Sequence, residues 1–397
     1  MKSPPKPADR GDTLLALRQR KMACSPERYV RGATRQFYDW LESGDRISLP
    51  EAPEIWICGD CHVGNIGPLA DHEGHVVIEI RDLDQTVIGN PSHDLVRLGL
   101  SLASSARGSA LPGVATALML ECLVEGYGAA FEPGFDEGDL PMPKVVRRGL
   151  KLSQSATWST LAEERLEDES PIIPLGKRFW PLSAGERKAV QAFAAGEEIR
   201  RMVTHLRGRD DDAEVELVDA AYWVKGCSSL GLLRLALLMR VRGEEKSDYC
   251  LIDVKEAVKA WAPFADRAAM PRNNAQRVVE GARALSPALG KRLLATRLFD
   301  RPVFVRELLP QDLKLEIDQL SHKQARNIAR FLGAVVGRAH ARQMDGETRK
   351  SWLAELRRAR GKAVEAPSWL WTSVVELLAA HERAYLEHCW RYGLAAD

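Results

Sequence analysis

The sequence predicts an α+β protein of two lobes around a cleft, and three observations predict it. Helical periodicity fills both ends of the 397-residue chain. Alternating, β-branched segments are concentrated between residues 215 and 312, and a short strand with a hairpin interrupts the helices near residues 54 to 80. With 45% hydrophobic residues, a chain of this length buries one large core or two lobes.

Taken in order, residues 1–53 form an N-terminal helical segment: a polar, Pro-rich start (MKSPPKPADRGD) and a helical stretch over 13–42. Glu54–Cys58 (EIWIC) reads as a strand that enters the Gly59-Asp60 turn. Asn65–Ala70, the turn candidate Asp71-His72-Glu73-Gly74 and the alternating strand Val76–Ile80 read as a hairpin that returns Asp82 to the side of Asn65. From Asp94 to about Arg207 the pattern is mainly helical, with Leu95, Leu98 and Leu102 on one face and Pro/Gly-rich interruptions near 132–143 and 171–176. These elements make residues 54–210 one part of a large lobe.

Residues 215–312 read as a small lobe. Ala221–Val224 is a strand, Gly226–Gly231 a Gly/Ser turn, Leu232–Val241 a second strand, and Tyr249–Ala257 a third after the polar turn 242–248. Asn273–Leu285 follows as a helix with Val278, Ala282 and Leu285 at helical spacing, and Arg301–Leu309 as another strand. Residues 320–397 supply the remaining large-lobe helices. The first opens on a capping box, Ser321 to Gln324, with an apolar stripe through Ile328, Phe331, Leu332, Val335 and Val336, and the last is a Trp-rich tail over 366–393.

The 56 basic and 55 acidic side chains leave a formal charge of +1, so no global field attracts nucleic acid or an anionic membrane. No run approaches the roughly 20 apolar residues of a membrane span. Seven irregularly spaced cysteines suit a reducing compartment rather than a disulfide framework, and the expectation is a cytoplasmic protein.

The chemistry is concentrated in Ile57-Cys58-Gly59-Asp60-Cys61-His62-Val63-Gly64-Asn65 and the following Arg81-Asp82-Leu83-Asp84. Two carboxylates about 4 Å apart repel by about 4 kcal/mol at an effective dielectric near 20, so clustered acids call for a cation or a shared proton. The Asp and Asn oxygens suit magnesium or manganese, one carboxylate orienting an accepting hydroxyl while an amide oxygen and a second carboxylate hold the metal. Taken singly, Asp60 and Asp82 also fit plain turn caps. Cys58 and Cys61 form a CxxC pair with no second pair to complete a zinc site. In the small lobe, the turn with Gly226, Ser228, Ser229 and Gly231 suits backbone N–H groups over phosphates, although most such turns are ordinary hairpins. Lys255 inside an apolar strand needs an anionic partner, and Glu280 on the next helix is a candidate. Strand, Gly turn, strand, Lys strand, Glu helix and strand is the element order of a kinase small lobe.

The segments GDCHVGN, IEIRDLD and GNPSHDLVRL resemble the HGDxHxxN, IDxxD and GDPxxDLA patterns of aminoglycoside-phosphotransferase-like kinases. KMACSPERYVRGA, VKGCSSLG, DVKEA, QRVVEGARAL and VGRAHARQMD together resemble the uncharacterised bacterial family called domain of unknown function 2252, itself placed among kinase-like folds. The second resemblance covers most of the chain. It implies a protein-kinase-like fold that is circularly permuted, because the catalytic loop precedes the small lobe. It also implies that Asp60 is the catalytic Asp, Asn65 and Asp82 are metal ligands assisted by Asp84, and Asp94 ties the following helix to the loop. By the same resemblance Lys255 binds phosphate with Glu280 as its ion-pair partner, and Glu307-Leu308 meets adenine where the lobes join. Cys58 and Ser228 depart from the pattern, standing where the phosphotransferases carry His and where a Gly-rich loop has its middle Gly. Arg28 and Arg31 face a phosphate or a substrate, or form surface salt bridges.

The expected activity is ATP- and magnesium-dependent phosphoryl transfer to an unidentified hydroxyl, with manganese as an alternative metal and no nucleic acid or membrane as partner. The alternatives are a nucleotide-binding pseudokinase, an AMP transferase, and a metal-dependent hydrolase using Asp60, His62, Asp82 and His93 directly.

Overall fold

Helices and antiparallel strands mix as the sequence predicts. The computed structural model describes residues 4–43, 49–107, 113–135, 142–155, 172–205, 209–242, 247–264, 270–309, 321–358 and 368–393. The interruptions near 132–143 and 171–176, the turn 242–248 and the start of the tail at 366 therefore lie partly outside the described residues.

The helical stretch 13–42 divides into α1 (Arg10–Ala23), α2 (Pro26–Gly32) and α3 (Thr34–Ser43). The break has a local cause: Ser25 accepts a hydrogen bond from Arg28 N as an N-cap, and Pro26, which has no N–H to lose, takes the first helical position. This segment does not stand apart. The Arg10 guanidinium grips Glu186 at 2.6 Å and Pro181 O at 2.6 Å, and Leu14 is buried among residues of the large sheet. Backbone carbonyls at the end of α1 take hydrogen bonds from Tyr385 and His388 of the last helix.

Strands β1 (Ile55–Ile57), β2 (Ile66–Ala70), β3 (Val76–Ile80) and β4 (Val87–Gly89) form two small ribbons. The expected hairpin pairs Ile66 with Ile80, and β4, which the sequence reading did not foresee, pairs back on β1 with Ile57 opposite Val87. Helices α4 (Ser92–Arg107), α5 (Gly113–Ala129) and α6 (Lys144–Ser155) follow. Leu95, Leu98 and Leu102 are buried on α4 as their spacing requires.

Within the stretch read as mainly helical, β5 (Phe179–Trp180) forms before α7 (Ala184–Ala194) and α8 (Glu197–Thr204). It becomes the edge of a six-stranded antiparallel sheet with β6 (Glu214–Trp223), β7 (Arg234–Arg242), β8 (Ser247–Glu256), β9 (Leu293–Leu298) and β10 (Arg301–Leu308), in the order β5-β6-β7-β8-β10-β9. Helices α9 (Asn274–Leu285) and α10 (Pro287–Gly290) connect β8 to β9. Strand β9 went unforeseen. Its two-residue turn to β10 is Phe299-Asp300, both at positive φ (52° and 59°), so the Asn-Gly signal that usually marks such a turn is missing.

The sheet's two faces differ. Leu235, Leu237, Ile252, Val254 and Val305 point to a core shared with α1, α7 and α8. The alternate residues Trp223, Arg234, Asp253, Lys255, Phe304 and Arg306 share the opposite face, since neighbours two apart in a strand lie on one side and cross-strand partners match. Helices α11 (His322–Ala341), α12 (Gly346–Arg358) and α13 (Ser368–Tyr392) complete the chain, and Ser321 and Gln324 form the expected capping box. A second, larger core joins α4, α5, α11 and α13 through residues such as Leu98, Leu120, Leu332 and Leu370. No described helix is long and apolar enough to cross a membrane.

Candidate active site

Pairing of β1 with β4 lays two loops side by side, one leaving β1 at Cys58 and the other entering β4 from Arg81. Gly59 makes the sharp turn at φ 74°, and its bare Cα faces the carbonyl of Gln85, where a Cβ would come within 2.2 Å of the oxygen. Asp94 secures the turn from below: one carboxylate oxygen accepts from Cys58 N at 2.7 Å and the other from Gly59 N at 3.0 Å. His340 Nε2, 3.1 Å from Asp94, donates to it while its Nδ1 accepts from Tyr127. Tyr38 OH donates to Gly59 O at 2.6 Å, and Thr86 Oγ1 donates to Ile57 O at 2.6 Å. The loop is thus fixed by buried hydrogen bonds on every side, and Asp94 has the structural place expected of it.

Asp60 is buried and its Oδ1 is held by Arg97, with Nε at 2.9 Å and Nη2 at 2.8 Å. The sequence reading missed Arg97. It is fully buried, and also donates to Val30 O at 2.7 Å, so it ties the loop to α2. Asn65 donates its amide N–H groups to Asp82 O at 2.8 Å and Asp60 O at 3.3 Å, which leaves Oδ1 as its uncommitted atom. Arg81 N donates to Asn65 O at 2.7 Å, so the hairpin does return the acidic loop to Asn65.

From the six-stranded sheet, Lys255 Nζ donates to Asp82 Oδ1 at 3.1 Å although 173 residues separate them. Burial opposes ionisation of Asp82, but Lys255, Arg306 and Arg234 more than offset it and hold the carboxyl at about 2. Asp84 behaves oppositely: burial and the neighbouring Asp82 push its carboxyl up to about 7, with Lys255 pulling the other way. Such crowding is what a bound cation relieves. The donor set of Asp82 and Asp84 carboxylates with Asn65 Oδ1 fits magnesium, which keeps several waters and so does not require the carboxylates to touch.

A pH dependence follows. Unfolded, Asp84 titrates near 4; folded and metal-free, near 7, so this group's contribution makes the native state less stable as pH rises from about 4 to about 7. Magnesium needs the ionised form. The rise in melting temperature on adding magnesium is expected to grow between about pH 6 and pH 8, and Asp84→Asn is expected to flatten that growth; a magnesium effect constant across this range in the native protein would contradict the assignment.

One expected partner of Lys255 is corrected. Glu280 is exposed on α9 and makes no contact with Lys255 among the described residues, because α9 buries Ala275, Val278, Ala282 and Leu285 and turns Glu280 to the far side. The residue that α9 does send toward the loops is Arg277, whose guanidinium donates to Asp84 O and Val258 O at 2.9 Å and to Thr86 O. Glu307 lies on the sheet face opposite Lys255, where Arg209 binds it at 2.7 and 2.9 Å; its carbonyl oxygen takes Arg292 Nη1 at 3.1 Å. Only Leu308 of that pair shares the face of Lys255.

Beside Lys255 the sheet carries an unforeseen charged triad. Arg234 binds Asp253 through two hydrogen bonds at 2.8 and 2.6 Å, and Arg306 Nε lies 3.6 Å from the same carboxylate. Burial would raise Asp253, yet Arg234, Lys255 and Arg306 hold it well below the usual carboxylate range. Lys225 adds its ammonium 4.2 Å above the Trp223 ring. The Gly226–Gly231 turn follows, with Gly226 O accepting from Lys21 Nζ at 3.2 Å and with Ser228 and Ser229 lining a cavity that also reaches Asp84. Arg31 sits against the Gly59–Asn65 loop, its guanidinium carbon 3.4 Å from where Gly64 would carry a Cβ, and reaches Glu27 at 3.9 Å.

Cys58 and Cys61 are free, fully buried thiols, and burial pushes Cys58 up. They and Asp94 lie close enough to share a metal, but Asp94 already accepts three hydrogen bonds. The other close group among the described residues is Asp71, Glu73 and His75, so neither brings His62 or His93 together with Asp60 or Asp82. Burial holds both of those histidines at about 4, neutral at physiological pH.

Compared with known proteins, residues 10–391 match the model of one family, described as an uncharacterized protein conserved in bacteria, domain of unknown function 2252. No curated protein and no solved structure matches.

Proposed function

Since the chain belongs to this family of uncharacterised bacterial proteins, its activity has to be read from its site, and we propose that it is an ATP- and magnesium-dependent phosphotransferase with a circularly permuted, protein-kinase-like fold. The observation that supports it best is the 3.1 Å contact of Lys255 with Asp82, which joins a phosphate-binding strand to a metal-binding loop beside Asp60 and Asn65. The cations Arg234, Lys255 and Arg306 on one sheet face outnumber Asp253 there, as a polyphosphate requires. Bound at Asp82, Asp84 and Asn65, magnesium would neutralise the phosphate oxygens. Arg97 fixes Asp60 Oδ1, so Oδ2 is the oxygen that orients the acceptor hydroxyl and takes its proton. As the acceptor oxygen bonds to the γ-phosphorus, the bond to the β–γ bridging oxygen breaks and ADP departs.

Intact Asp60 and Asn65 speak against a pseudokinase. The hydrolase alternative leaves the Lys255–Asp82 contact without a role. Magnesium–ATP is expected to raise the melting temperature of the native protein, and Lys255→Ala to abolish the rise; no rise, or an unchanged rise in the variant, would sink the proposal. Labelled ATP then separates transfer of phosphate from transfer of AMP, with Asp60→Ala expected to slow either by on the order of 10²-fold or more.

A further inference from the structure

We infer that the cavity beside the Gly226–Gly231 turn is the acceptor site and that it takes a small hydroxylated anion, a phosphate or a carboxylate. The acceptor role rests on the phosphotransferase reading; the anion chemistry rests on the cavity itself. It measures about 590 Å³ and lies between α1–α3, the end of α13, the turn and the acidic loop. That volume suits a small molecule.

Its position ties it to the chemistry. Asp84 and Ser229 are on its wall, and so is Thr34, whose hydroxyl is 3.4 Å from the Arg97 guanidinium that holds Asp60. A molecule in the cavity therefore has the acidic loop and the phosphate turn on one side and the Asp60–Arg97 pair behind Thr34.

Its charge selects the ligand. Arg18, Arg35 and Arg391 line it, against Asp84 and Glu387. Asp84 is committed to the metal in the reading above, and Arg35 reaches Asp39 at 3.5 Å. Among the described residues no carboxylate pairs with Arg18 or Arg391. Arg18 is half-buried with one hydrogen bond, from Nη2 to Gly32 O at 3.1 Å, and its burial pulls its pKa down. Arg18 of the wall, with Arg31, Lys21 and Arg28, lies close enough to act on the Cys227 thiol. A half-buried cation without a counter-ion is costly, and an anion in the cavity offsets that cost. A neutral sugar would leave the half-buried Arg18 unmatched.

The test uses the full chain without nucleotide and compares glycerol 3-phosphate, glycerate and glycerol by thermal shift and by isothermal calorimetry. Either or both anions are expected to bind, which tells phosphate from carboxylate, and glycerol is not. Arg18→Gln and Arg391→Gln are expected to weaken the anion by about tenfold or more each, whereas Lys255→Ala keeps it, which separates this cavity from the nucleotide phosphates. Equal binding of glycerol, or anion binding unchanged in both arginine variants, overturns the inference. Magnesium–ATP is titrated in parallel: an anion response without any nucleotide response removes the acceptor role and the phosphotransferase reading, while a nucleotide response without an anion response removes this inference alone.

Discussion

Arg97→Met is expected to destabilise the protein by about 3–5 kcal/mol and to abolish turnover, because it strips the buried guanidinium from the Asp60 carboxylate, which has no other ion-pair partner among the described residues. Asp60 is 6% exposed and Arg97 is 0% exposed, so neither recovers its lost partner from water. The guanidinium also fills the hydrogen-bonding needs of Val30 O and stands over the Phe37 ring at 5.2 Å, so its removal loosens α2 and α3 from the loop as well. The companion experiment separates stability from chemistry. In Asp60→Leu/Arg97→Met both charges vanish together, and replacing a buried pair with apolar side chains is close to neutral, so most of the lost stability is expected to return while activity does not. Urea denaturation measures the first and product formation from labelled ATP the second. A stability loss below about 1 kcal/mol for Arg97→Met would show that the pair does not hold the loop.

How much of this was legible in the sequence depended on whether the signal was local. The turn at Gly59-Asp60, the hairpin back to Asp82 and the Ser321 capping box each follow from residues a few positions apart, and each is where the pattern placed it. The contact of Lys255 with Asp82 was reachable only through the order of elements. Glu280 was assigned against information already present: on a helix whose buried stripe runs through Val278 and Ala282, a residue two positions from either lies about 200° around the axis and faces away. The direction of the Glu307 side chain is information of another kind. Strand alternation puts Glu307 opposite its neighbour Arg306, but which of the two shares the face of Lys255 depends on the register of β8 with β10, which no local pattern encodes.

The residues overlooked altogether were buried charges. Arg97 sits inside the apolar run of α4, three positions after Asp94, and a charged residue in such a run is a signal that a counter-charge must be found. The sequence does not say where. Its partner lies 37 positions back on a loop, just as Arg234 finds Asp253 on the next strand and Arg277 finds the backbone of the acidic loop. Long-range pairing of buried charges is set by tertiary packing, so their presence was readable and their partners were not.

The strongest test of the loop geometry is Gly59→Ala set against Gly74→Ala. Both glycines hold the left-handed region, at φ 74° and 87°, so an added methyl group costs each about 1–2 kcal/mol of backbone strain. Their surroundings differ. At Gly74, on the hairpin turn, nothing lies within 4 Å of the new Cβ, and the strain is the whole effect. At Gly59 the Cβ would stand 2.2 Å from Gln85 O and 2.9 Å from its carbonyl carbon, and backbone cannot rotate aside as a side chain does. Either the turn or the acidic loop must then shift. A shifted turn pulls Cys58 N and Gly59 N off Asp94 and carries Asp60 away from Arg97; a shifted acidic loop carries Asp82 away from Lys255. Gly59→Ala is therefore expected to lose about 3 kcal/mol or more of stability and on the order of 10²-fold or more in rate, a misplacement of about 1 Å being enough for the latter. Gly74→Ala is expected to keep full activity and the magnesium–ATP response. If the two variants were equally stable and equally active, the abutment of the two loops at Gly59 and Gln85 would not be what positions Asp60.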